Sequence, residues 1–190
     1  GSAGFCQFSG PHIIDDVADF SAVGAREEDK IGTSLATADL TGNGHLDLIV
    51  GSAHADVEGD DNSGGVYIIE GPLPYGVTDI DDHGSVPIQI SGYDPGDLTG
   101  FAVVGSRVND DDHPDLLIGS PGVLAPGGGM ESGEVTLFLG PLTADIMGDD
   151  AFIRTGKADI TINGVEEGSR FGYAIAGGGD LDGDGLPDTV

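Results

Sequence analysis

The chain has 190 residues, long enough for one domain with a core beyond the marginal size range. It carries 34 acids against 6 bases, a formal charge of −28, so nucleic acid and anionic membranes, which need a basic footprint, are excluded as partners. A single cysteine, Cys6, excludes an intrachain disulfide, and no apolar run is long enough to span a membrane.

In chain order, the first patterned block is Gly4 to Gly10-Pro11. It returns more clearly as Gly65-Val66-Tyr67-Ile68-Ile69-Glu70-Gly71-Pro72 and again as Gly133 to Gly140-Pro141. Each copy is followed by an acidic turn and a polar-apolar strand, over 17–23, 86–92 and 158–164. A strand of small residues comes next, over 31–38, 100–105 and 171–177. Then comes a loop of carboxylates, and after it a short apolar strand at 46–52 and 116–120. From Gly32 to Gly100 to Gly172 the period is about 70 residues, in the range of solenoids and propellers.

The apolar runs are short, rich in Val, Ile, Leu, Tyr and Phe, and bounded by Gly, Pro, Asp and Asn. No window sustains a helical period, so the chain reads as all-β. Leu46 to Val50 and Leu116 to Ile118 are continuous enough for strands buried on both faces. Four strands per repeat predict β-propeller blades of four antiparallel strands. The small residues suit innermost strands, where blades converge; the bulkier Tyr67, Ile68, Ile69, Leu137 and Phe138 suit positions further out. The expected division is a part-blade at 1–23, blades at 31–92 and 100–164, and a part-blade at 170–190. This is a partial propeller, to be completed by a longer chain or by another one.

The carboxylate loops carry the chemistry. In the third, Asp180, Asp182, Asp184, the Leu186 carbonyl and Asp188 alternate with Gly183 and Gly185. That pattern converges oxygens on one point and suits Ca2+, a hard cation that takes about six to eight of them. No Glu stands where an EF-hand needs its bidentate ligand, and the flanks are strand-like. The first loop offers Asp39, Thr41, Asn43, the His45 carbonyl and Asp47, with fewer carboxylates and so weaker expected binding. The second offers Asn109, Asp111, the His113 carbonyl and Asp115, but has Arg107 in the leading position. Arg107 could pair with Asp111 and Asp115 in place of an ion, or Asp110 or Asp112 could complete a shifted site. The less patterned acids at 56–61, 79–82 and 145–150 read as solvated turns, with ion-binding loops or partner contacts as the alternatives.

Together, the Phe171-Gly172 head, Ile31-Gly32 in its place, the reversed Gly100-Phe101, and Gly51-Ser52-Ala53 and Gly119-Ser120-Pro121 resemble the FG-GAP repeat. That repeat builds integrin α-subunit-like propellers, including bacterial or archaeal ones. The resemblance implies that each metal loop joins a blade's first and second strands. It also spans adhesion receptors and enzyme-attached domains, so fold does not fix function.

The sequence shows no nucleophile elbow, H-E-x-x-H motif or phosphate loop, and the expectation is a non-enzyme. The function expected is a calcium-binding propeller segment of an extracellular or cell-surface protein. It would mediate adhesion or bind a protein or glycan ligand, without inserting into a membrane. The alternatives are a substrate-docking module of a secreted hydrolase or lyase, and an architectural subunit of a surface filament whose open edges pair with neighbouring subunits.

Overall fold

The structure is a computed structural model describing residues 20–24, 27–57, 59–73, 76–80, 86, 88–127, 129–143, 153–185 and 187–190. The block at 4–11, the acids at 145–150 and the Leu186 carbonyl lie outside the described residues. The described chain is built of β-strands and two short 3-10 turns, at Glu27–Asp29 and Thr155–Lys157.

The first large sheet contains β2 (Ser34–Ala38), β3 (Asp47–Ser52), β4 (Gly65–Ile69) and β6 (Ile88–Ser91), a four-stranded antiparallel meander. The second repeats it with β7 (Ala102–Ser106), β8 (Asp115–Ser120), β9 (Glu134–Phe138) and β11 (Ile160–Asn163). A two-stranded antiparallel ribbon follows, β12 (Gly177–Gly179) with β13 (Asp188–Thr189). The antiparallel four-stranded sheets make this a propeller-type all-β fold.

The strands alternate between two cores. On β3 and β4, Ile49, Val66 and Ile68 face the second sheet and pack against Val103, Leu116, Ile118 and Phe138. Their neighbours Val50, Tyr67 and Ile69 face the other way, against Phe20, Ala22, Ile31 and Ile80. On β8, Leu117 faces outward with Val135 and Leu137. Burial on both faces is why these strands read as continuous apolar runs and not as alternating ones. The small-residue strand β2 is less enclosed, and its Leu35 is 63% exposed.

Two parallel pairings were not legible in the sequence. β1 (Phe20–Val23) pairs with β5 (Gly76–Asp79), and β10 (Ile153–Arg154) pairs with the outer strand β6. β10, in the connection after Gly140-Pro141, reaches back to the outermost strand of the first large sheet, and β5, in the connection after Gly71-Pro72, reaches back to β1. This covers an edge that would otherwise present unpaired N–H and C=O groups.

The Phe-Gly head also differs from its expected place. It is not part of the small-residue strand: Gly32, Gly100 and Gly172 have φ of 81°, 85° and 83° and sit in the turn before it. By that register Thr99-Gly100 corresponds to Phe171-Gly172, and Phe101 corresponds to Tyr173. In the third copy the strand begins only at Gly177. Phe171 instead makes a parallel bridge to Gly133 of the preceding sheet. Among the described residues the ribbon has no third strand to extend it.

The glycines of the two signature elements meet across sheets. A Cβ on Gly51 would run into the Gly100 carbonyl, and one on Gly119 into the Gly172 carbonyl. The repeat therefore keeps glycine at both places because backbones approach one another there.

Candidate metal centre

The loops after β2, β7 and β12 each join the first and second strand of a sheet or ribbon. The first two lie side by side: a Cβ on Gly42 would touch Pro141 and the His113 ring.

The third loop is wound around its own carboxylates. Asp180 accepts the N–H of Gly183 through Oδ1 at 2.7 Å and that of Gly185 through Oδ2 at 3.0 Å. Asp182 Oδ1 accepts the Asp184 N–H at 3.0 Å. Asp188 Oδ2 accepts the N–H groups of Leu181 and Asp182 at 2.6 and 3.2 Å. The result is a cluster in which one oxygen each from Asp180, Asp182 and Asp188 lies within 4.8 Å of the others. Oxygens that share one Ca2+ at about 2.4 Å lie at most about 4.8 Å apart, and these three meet that condition. Among the described residues this is the only such group of three. Asp184 lies in the same loop but is not a member of the cluster.

The first loop uses the same plan. Asp39 Oδ2 accepts the Gly44 N–H at 2.9 Å. Its other oxygen, Oδ1, is buried and has no hydrogen-bond partner. A buried carboxylate oxygen without a partner is costly, and a cation would satisfy it. Asn43 Oδ1 accepts the His45 N–H at 2.8 Å, while its amide donates to the Gly71 carbonyl at 3.2 Å. Thr41 donates its N–H to Asp47 Oδ2 at 3.0 Å.

The second loop closes on itself. Asn109 donates to Asp111 Oδ2 at 2.8 Å and accepts the Asp111 N–H at 3.0 Å; Asp111 Oδ1 accepts the His113 N–H at 2.8 Å. Arg107 is exposed and forms no ion pair with Asp111 or Asp115, so it is not an internal counter-ion. A guanidinium cannot accept a loop N–H as Asp39 and Asp180 do, and the Asn109–Asp111 pair organises the turn instead.

The final aspartate of the first two loops has a role that spacing did not reveal. Asp47 and Asp115 are fully buried. Asp47 Oδ1 accepts the Gly71 N–H and Asp115 Oδ1 the Gly140 N–H, both at 3.0 Å. Asp115 Oδ2 also accepts the Val108 N–H at 2.8 Å. Each thus ties its metal loop to the Gly-Pro turn at the end of the third strand. Gly-Pro recurring about 25 residues after each of these aspartates was the available signal.

Two further acids escaped the sequence reading. Asp97 is buried and accepts the N–H groups of Tyr93 and Asp94. Burial pushes its carboxyl above the usual value; those two bonds oppose the shift, and the charges of Asp94 and Asp60 add to it. Glu134 is raised as well, by burial first and by the Asp97 charge second.

The FG-GAP repeat family matches residues 31–69, which run from the first Gly-containing turn through the first metal loop to the end of β4. The chain contains an FG-GAP repeat. It is 34% identical over 154 residues to human phosphatidylinositol-glycan-specific phospholipase D, covering 81% of this chain and 17% of that protein. It is 30% identical to integrin alpha-PS2 of Drosophila melanogaster over 90% of this chain and 12% of that one. It is 29% identical to integrin alpha-V of Gallus gallus over 93% and 15%. The FG-GAP chain therefore spans less than a fifth of the length of these relatives. Among its described residues no helix is long and apolar enough to cross a membrane.

Proposed function

We propose that this FG-GAP chain is a non-catalytic, calcium-stabilised propeller segment of an extracellular or cell-surface protein, and that it presents loops for binding a protein or glycan ligand. The observation that carries this reading is the cluster of Asp180, Asp182 and Asp188 oxygens within 4.8 Å of one another. Asp184, which stands outside that cluster, and the Leu186 carbonyl are the further ligands that the sequence pattern assigns to this loop. Asp39, Thr41, Asn43, the His45 carbonyl and Asp47 form a weaker site. The second loop, with Asn109, Asp111, the His113 carbonyl and Asp115, follows the same plan. The ion's role is structural: it neutralises clustered carboxylates and pins the turn between two strands.

In this reading the units are a part-blade at 1–23, blades at 31–92 and 100–164, and a part-blade at 170–190. Thermal melts of the chain in calcium and in chelator test the metal role. Calcium raises the midpoint; equal midpoints would refute it.

The similarity to a phospholipase supports a second reading, in which the same fold serves as a docking module beside a catalytic domain. A chain that retains ligand binding but lacks phospholipase activity fits both readings. Activity that depends on the segment when it is joined to a catalytic domain favours the second.

A further inference from the structure

We propose that the cleft formed by the connections around 96–101, 121–131 and 170–173, at the end of the second sheet opposite its carboxylate loop, binds a neutral sugar unit. This rests on the reading of the chain as a binding module and names the class of its ligand.

The cleft has a volume of about 230 Å3 and is lined by Leu98, Phe101, Pro121, Glu131, Arg170 and Tyr173, among others. Phe101 and Tyr173 hold the same position in successive repeats, one residue after Gly100 and Gly172. Their rings meet across the two units, with centroids 4.5 Å apart and planes tilted by 38°. Tyr173 remains 55% exposed, so an aromatic surface is left bare to solvent. Beside it Arg170 Nε donates to Glu131 Oε2 at 2.8 Å, and Arg170 Nη2 donates to the same oxygen.

The fold does not require these side chains. At the corresponding place one repeat upstream, Thr33 stands for Phe101, Ala53 for Pro121, Asn62 for Glu131 and Leu98 for Arg170. There His54 Nδ1 and Asn62 Oδ1 satisfy each other at 3.0 Å. The same backbone turn is built there without an aromatic pair or an ion pair. Lys30, Leu98 and Arg170 share the left-handed conformation, at φ of 51°, 58° and 51°, as do Asn62 and Glu131. The backbone strain thus belongs to the repeat, whereas the aromatic and charged side chains belong to this cleft alone.

The chemistry of the lining selects the ligand. The chain carries −28 overall, yet the charged groups in the cleft are one arginine and one glutamate, paired with each other. A cation gains little beside a neutralised carboxylate, and an anion faces the repulsive field of the whole chain. A neutral ligand avoids both penalties. The volume lies below the range of about 300 to 1,000 Å3 usual for drug-sized ligands, which suits a single ring. A pyranose has an apolar C–H face to cover the Tyr173 ring, and hydroxyls that can donate to Glu131 and accept from Arg170.

Saturation-transfer NMR tests this on the full chain in calcium, with the methyl pyranosides of glucose, galactose, mannose and N-acetylglucosamine as probes. Transfer to the ring C–H protons of at least one glycoside is expected. Tyr173→Ala abolishes it, and Arg170→Ala weakens binding about tenfold, the worth of one charge-assisted hydrogen bond. Thr33→Ala, at the upstream place, leaves it unchanged. No transfer from any of the four, or transfer that survives Tyr173→Ala, overturns the proposal. So does binding of a proline- or tyrosine-containing peptide, lost in Tyr173→Ala, in place of a sugar. The calcium-dependent melt of each variant is recorded alongside. A normal calcium shift without sugar transfer defeats this proposal while leaving the metal reading standing.

Discussion

The Asp47 carboxylate accepts the Gly71 N–H at 3.0 Å, and through that bond the first metal loop is fastened to the turn that ends β4. The relationship recurs between Asp115 and Gly140 at the same distance. A residue that spacing marks as the last ligand of a loop is, in the fold, a buried anchor between two strands' ends.

Removing that anchor leaves the N–H groups of Gly71 and Thr41 without acceptors. Each buried unsatisfied donor costs about 1–3 kcal/mol, so Asp47→Ala is expected to lower stability by about 3 kcal/mol. Urea unfolding in saturating calcium measures this. A loss no larger than that of a surface substitution would contradict the anchoring role.

Asp182 is exposed, and its hydrogen bonds to Asp184 and Asp188 lie within its own loop. Asp182→Ala is expected to weaken calcium at the third loop while leaving the chelator-treated chain equally stable. Calcium at about a hundredfold excess over its Kd adds about 2.7 kcal/mol to the folded state, and the variant loses most of that gain at the same calcium concentration. Calorimetric titration with paired melts reads both quantities.

Arg107 occupies the position that Asp39 and Asp180 hold in the other loops. Arg107→Asp restores an acceptor for the loop N–H groups and a carboxylate ligand, and is expected to add one calcium site per chain. Isothermal titration showing unchanged stoichiometry would count against the common loop plan.

Asp97 and Glu134 give the chain a pH dependence of definite sign. A carboxylate whose folded value is raised binds its proton more tightly in the folded state. Stability from it is present at low pH and is lost as pH rises from the unfolded value, 3.8 for Asp97 and 4.5 for Glu134, through the raised folded one. Glu134→Gln removes its share of that loss. The variant is therefore expected to gain on the parent chain between about pH 4 and about pH 7, and to hold the gain at neutral pH. Urea curves at the two pH values give the comparison; an equal difference at both would refute it.

The glycine contact across sheets is testable by a single methyl group. Gly119→Ala drives a Cβ into the Gly172 carbonyl and is expected to cost about 3 kcal/mol, the upper part of the range for overpacking. Gly156→Ala, whose Cβ would meet only the Tyr93 ring at 3.9 Å, serves as the near-neutral control. Thermal midpoints of the two variants separate the effects.

The sequence by itself determined the class of fold, the period and the location of the carboxylate loops. These depend on local chemistry: apolar runs of strand length, Gly-bounded turns, and aspartates alternating over a few residues, as at Asp180, Asp182 and Asp184. Only the tertiary structure decided which carboxylates act together. Asp188 joins Asp180 and Asp182 while Asp184 stays out of the cluster, because ligand convergence depends on how the loop winds and not on spacing alone. It likewise decided that Asp47 anchors Gly71, that β10 reaches back to β6, and that Phe101 meets Tyr173. Each of these joins residues about 24 to 72 positions apart, and a pattern read along one chain carries no term for such contacts until the sheets pack.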